Sequence, residues 1–115
     1  VRAAAILAVM LASPVAAQDC DGTTAEMIDC GARSLDLADG ELNAVYKRVM
    51  HEAQAGGYAE EVRAAQRLWI PYRDAACAAE AAPYDGGSSQ PLIRISCLTR
   101  MTEARTEELR MFSMN

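Results

Sequence analysis

The sequence predicts an all-α fold, a small antiparallel bundle of three main helices with two disulfides. Three observations lead there. Apolar residues recur at three-four spacing through three long stretches, no sustained period-two alternation occurs anywhere, and four cysteines fall in a short chain of 115 residues. The composition agrees: Ala, Arg, Glu and Leu dominate, and 51% of residues are hydrophobic, within the globular range.

The first stretch runs from Thr23 to about Gln54 without a proline. Ile28, Gly31, Leu35, Ala38, Leu42, Val45 and Val49 mark one face of an amphipathic helix. Thr23 and Glu26 have capping-box spacing, Gly40 invites a break or bend, and Gly56-Gly57 ends the segment. The second stretch, Glu60 to about Ala82, opens on acidic residues that suit a helix N-terminus and places Val62, Ala65, Trp69, Tyr72 and Ala76 along a stripe. Trp69 and Tyr72 are thereby expected as core aromatics. Pro71 removes the N–H that would bond the Arg67 carbonyl, so a kink near Leu68 to Ile70, or two helices in series, is expected.

Residues 83–90, PYDGGSSQ, form a turn-rich loop. Beyond it Pro91 fits a first helical turn, and Ile95, Leu98, Thr102, Arg105, Leu109 and Phe112 follow a third stripe. At about 1.5 Å per residue the helices would be roughly 45, 35 and 33 Å long, matched well enough to pack side by side.

Upstream of the helices, residues 3–12 are an uncharged apolar run, preceded by Arg2 and followed by Ser13, Pro14 and the small-residue stretch Val15-Ala16-Ala17. That order is the order of a signal peptide, assigned to residues 1–17 with cleavage before Gln18, and the helical domain occupies 18–115. The run falls short of the roughly 20 apolar residues that span a bilayer. Cys20 follows Gln18 and Asp19 rather than opening the mature chain, so no lipid-anchor site is formed and no membrane anchor is expected in the mature form. Periplasmic or secreted localisation follows.

Cys20, Cys30, Cys77 and Cys97 all lie in the mature region, and an even count in an exported chain indicates a disulfide framework. Cys77 and Cys97 count to similar depth on neighbouring helices, with Cys20 and Cys30 at the same end of the bundle. Four cysteines still allow three connectivities, and depth does not choose among them.

The formal net charge of −5 becomes about −6 once Arg2 leaves with the leader, which disfavours nucleic acid and favours a cationic partner. Catalytic and metal motifs fail on inspection. His51-Glu52 opens like a zinc-protease helix, but Ala55 stands where a second His would be needed. With one His and no Cys-x-x-Cys, neither a metal nor a cofactor has its ligands. Glu60-Glu61 and Glu107-Glu108 point about 100° apart on a helix and read as solvated faces, not as a catalytic pair. Arg105 on the third stripe, and Arg73 one residue off the second, require carboxylate or carbonyl partners, for which Asp36, Asp39 and Asp74 are candidates.

Read in order, EMIDCGARSLDLADGELNAVYKRVM, AAQRLWIPYRDAACAAE and GGSSQPLIRISCLTRMTEARTEELR resemble the lysozyme inhibitor LprI-like family of bacterial exported proteins. The match rests on Met27 and Cys30; Asp39, Leu42-Asn43 and Tyr46; Gln66, Trp69, Tyr72-Arg73-Asp74 and Cys77. It continues through Gly86-Gly87, Cys97, Thr102, Arg105 and Leu109. LN-x-x-Y combined with W-x-x-YRD-x-x-C and a later Cys is the specific part; Pro71 is not required by the pattern.

The resemblance implies an exported helical binding protein, not an enzyme, that inhibits a cationic c-type lysozyme by protein–protein contact. The alternative is a structural or interaction module of the cell envelope without lysozyme activity. For inhibition, the expected contact is the loop Tyr84, Asp85, Gly86, Gly87, Ser88, Ser89 and Gln90, the longest unpatterned segment on a rigid scaffold.

Overall fold

The structure is a computed structural model that describes residues 20–113; the expected signal peptide lies outside the described residues. Three α-helices follow in order: α1, Thr24–Gly56; α2, Ala59–Ala81; and α3, Gln90–Arg110, with a short 3-10 turn, Ala82–Tyr84, after α2. The all-α expectation holds, and no strand occurs among the described residues.

The ends of α1 are set by local chemistry. The Thr23 hydroxyl accepts from the Glu26 N–H at 3.2 Å, and the Glu26 carboxylate accepts from the Thr23 N–H at 3.0 Å, so the capping box is closed. At the other end Gly57 takes φ 81°, and the Tyr58 N–H reaches back to the Ala53 carbonyl at 2.9 Å. A β-carbon is costly in that left-handed conformation, which is why the helix stops at this glycine. Gly40 does not interrupt α1.

The bundle runs up-down-up. Gly31 meets Ile95, Glu41 meets Arg110 and Glu52 meets Ser113, so α1 and α3 are parallel to each other while α2 is antiparallel to both. The α1–α3 interface is the most extensive, and α2 leans on α3 more than on α1. Gly31 permits the close approach: a β-carbon there would come within 2.9 Å of the Ile95 Cγ2.

The apolar core is concentrated toward the C-terminal halves of α1 and α3, where Leu42, Val45, Val49, Met50 and Ala53 pack with Val62 and Leu109. Toward the loop end, the buried apolar residues are small: Cys30, Ala38, Cys77, Ala81 and Cys97. That thin end carries both disulfides, Cys20–Cys30 and Cys77–Cys97, and no free cysteine remains among the described residues. Met101 Sδ lies 3.6 Å from the Cys77 sulfur and 3.9 Å from that of Cys97, filling space beside the second bridge.

α2 settles one alternative at Pro71 and corrects another expectation. It continues through Pro71 as one helix and is not divided into two. Its inner face is also rotated by about one residue from the sequence stripe: Val62, Gln66, Cys77 and Ala81 are buried and Arg73 is half-buried, whereas Tyr72 is 64% exposed. Tyr72 is therefore not a core aromatic. Trp69 is half-buried at the edge of the core rather than its largest enclosed side chain; Leu109 and Val45 are the largest residues in full enclosure. The rotation has a physical cause. Gln66 and Arg73 face inward because other helices supply their hydrogen-bond partners, and polar residues do not register in a hydrophobic stripe.

Candidate functional site

The slack between α1 and α2 leaves an open groove of about 410 Å³. From α1, Asp39, Leu42, Asn43 and Tyr46 reach it, one helical turn after another. From α2, Arg63, Gln66, Arg67, Trp69, Ile70 and Arg73 form the opposite wall. Leu42, Asn43 and Tyr46 of the LN-x-x-Y pattern thus meet Trp69 and Arg73 of W-x-x-YR in one place, although the two motifs lie some 23 to 31 positions apart in the chain; the exposed Tyr72 does not take part.

Arg73 closes one end of the groove. Its guanidinium lies 3.5 Å from the Asp39 carboxylate and 3.0 Å from that of Asp74, and it donates to the Thr102 hydroxyl at 3.2 Å. One side chain therefore bridges all three helices. Of the three carboxylates expected as partners, Asp39 and Asp74 are used and Asp36 is not.

Arg105 lies beneath, 8% exposed. Its Nε donates to Gln66 Oε1 and its Nη1 to Glu108, both at 3.0 Å, while Nη2 has no hydrogen-bond partner. The guanidinium also sits 5.8 Å from the Trp69 ring centroid and 5.5 Å from that of Phe112, and Arg73 sits 5.2 Å from Trp69. Aromatic faces attract cations, so these rings offset part of the cost of burying a donor without a partner. Because an arginine only donates, the Gln66 carbonyl oxygen must face Arg105. Its amide NH2 makes no hydrogen bond among the described residues, and Gln66 itself is a groove-lining residue only 6% exposed.

The expected partner loop lies at the disulfide end. Tyr84, Asp85, Gly86, Gly87, Ser88 and Ser89 are all exposed, with Tyr84 at 47%. The loop is braced from within: the Asp85 N–H bonds to the Ala82 carbonyl at 3.1 Å, the Gly87 N–H to that of Tyr84 at 3.0 Å, and Gly86 takes φ 77°. Below it, Cys77–Cys97 and the exposed Arg100–Glu80 pair at 2.6 Å join α2 to α3. The hydrogen bond from Arg100 to Glu80, reinforced by the carboxylate charge, raises the Arg100 pKa above its ordinary value. Loop and groove are separate surfaces, since no loop residue lines the groove.

Sequence reasoning treated the groove residues as scaffold and missed that they enclose a space. A signal was available in Arg63, Gln66, Arg67 and Ile70, whose three-four spacing continues the Trp69-Arg73 face. No described helix is long and apolar enough to cross a membrane.

A relative from Rhizobium meliloti (strain 1021), itself an uncharacterized protein, is 34% identical over 93 residues, covering 70% of this chain and 67% of the relative. No solved structure matches. The family model described as lysozyme inhibitor LprI matches residues 15–109, which takes in α1, α2, the loop and nearly all of α3. The chain belongs to the lysozyme inhibitor LprI family.

Proposed function

We propose that this protein is an exported inhibitor of a c-type lysozyme that acts by protein–protein contact and not by catalysis, released to the periplasm or medium after cleavage between Ala17 and Gln18. Family membership across residues 15–109 is the observation that carries the reading. The net charge of −5 supports it, because an acidic inhibitor is steered toward a basic enzyme.

The contact is assigned to the loop Tyr84, Asp85, Gly86, Gly87, Ser88 and Ser89. It is exposed, internally braced and mounted on a disulfide-tied end, so little ordering entropy would oppose binding. Tyr84 offers an aromatic anchor, and the Ser88 and Ser89 hydroxyls can donate to the enzyme's carboxylates.

The test is a variant with Tyr84, Ser88 and Ser89 all changed to Ala, confirmed folded by circular dichroism and titrated against lysozyme in a turbidity assay. Inhibition weakened by about tenfold or more is expected, corresponding to the loss of one anchor. The wild type should also inhibit less at physiological than at low salt. Inhibition unchanged within twofold would exclude this loop, and a wild type that never inhibits would favour the envelope-module alternative. Intact mass of the exported product checks the N-terminus: it should begin at Gln18 and resist alkylation without reductant.

A further inference from the structure

We propose that the α1–α2 groove is a saccharide site that takes a pyranose ring bearing a carboxylate. The inference does not rest on lysozyme inhibition and concerns a different surface from the loop. Its volume of about 410 Å³ lies within the roughly 300–1,000 Å³ of small-molecule pockets.

The chemistry of the walls selects the class. Trp69 is the largest side chain in the protein, yet it stays half-buried on a groove wall opposite Tyr46. Arg73 and Arg105 already lie over the Trp69 ring, 5.2 and 5.8 Å from its centroid, so the aromatic face offered to the polarised C–H face of a sugar ring is that of Tyr46 across the groove. On the α2 wall, Gln66 is only 6% exposed, yet its amide NH2 is not among the buried groups left without a partner and keeps contact with solvent in the groove. Its orientation is fixed from behind by Arg105. Asn43 stands exposed on the facing wall with both a donor and an acceptor, and Asp39 adds an acceptor. Such planar polar groups beside an aromatic face match the alternating hydroxyls and C–H faces of a carbohydrate.

The acidic preference comes from Arg67. Three arginines line the groove, but Arg63 pairs with Glu60, and Arg73 with Asp39 and Asp74. Arg67 makes no ion pair among the described residues and is exposed on the groove wall, so one of the three groove arginines remains to bind a carboxylate in a bidentate pair. Nucleic acid does not fit a chain of net charge −5. An aliphatic ligand would leave the Gln66 and Asn43 amides desolvated without partners.

Trp69 is the single tryptophan, so its fluorescence reports on the groove alone. The experiment titrates the protein with a uronic-acid disaccharide, the matching neutral disaccharide and an acidic tetrapeptide, with calorimetry as a second readout. Expected is a saturable change in Trp69 emission with the uronic-acid sugar, and about tenfold weaker binding of the neutral sugar, the usual magnitude for one charge-assisted pair. Arg67→Ala should abolish the acidic preference, and Asn43→Ala should weaken both sugars. Both positions are exposed, so the fold should survive, and circular dichroism verifies this. A Ser88→Ala, Ser89→Ala variant should bind the sugar as wild type does. No saturable signal up to about 20 mM (a Kd that would be weaker than most specific small-ligand sites), equal affinity for the neutral sugar, or tighter binding of the tetrapeptide would each overturn the proposal.

Discussion

Arg105 and Gln66 show what a polar pair costs inside a small bundle. The Arg105 guanidinium uses Gln66, Glu108 and two aromatic rings, and still leaves Nη2 without an acceptor. Breaking one side of such a pair is worse than removing both, because a buried donor is then stranded. Gln66→Leu should therefore cost about 2 to 3 kcal/mol in urea denaturation, whereas Gln66→Leu with Arg105→Met should recover most of it. Equal loss in the single and double variants would contradict this account. Trp69→Ala should cost about 2 kcal/mol, below the roughly 3 to 5 kcal/mol of a fully buried tryptophan, since the ring is only half-buried. Arg73 and Arg105 would also lose their shared aromatic neighbour.

At the scale of the element, α1 is the best-specified part of the molecule. It has a closed capping box, an apolar stripe that deepens toward its C-terminal half, and a left-handed glycine as its terminator. Gly57→Ala should destabilise by about 1 kcal/mol, because a β-carbon is disfavoured at positive φ even though open space surrounds the site. A melting temperature unchanged by Gly57→Ala would show that the terminus does not depend on this conformation. In α2 the balance is different. Its apolar face is narrow, Leu68 and Tyr72 point to solvent, and it meets α1 through Val62 at the core end and through Arg73 reaching Asp39 further along. That loose seam is the groove.

For the whole molecule, apolar core and disulfides divide the labour. One end is held by Leu42 through Ala53 with Val62 and Leu109; the other, with few large buried side chains, is held by Cys20–Cys30 and Cys77–Cys97. Closing a separation of 20 residues reduces unfolded-chain entropy by an amount worth about 3 kcal/mol, so Cys77→Ser with Cys97→Ser should lower stability by about that much. Hydrogen exchange should then show α3 opening first near Gln90 while protection around Leu109 persists. Uniform loss of protection along α3 would argue against the division.

The helices, their caps, the loop and the disulfide-bonded end are legible in the sequence because each follows from local spacing: the Thr23–Glu26 box, Gly57, Pro91 and the three-four stripes of α1 and α3. The family pattern is legible for the same reason, being a set of residues at fixed separations. Tertiary structure alone decided the inner face of α2, the pairing of the cysteines and the existence of the groove. Periodicity detects apolar residues, and it placed Tyr72 inward and Arg73 off the stripe. Burial of Gln66 and Arg73 is possible only because α1 supplies Asp39 and α3 supplies Thr102 and Arg105, partners brought within 3.5 Å by the packing of the three helices. A hydrogen bond between distant positions leaves no periodic trace in either segment, so the face it selects emerges only when the helices meet.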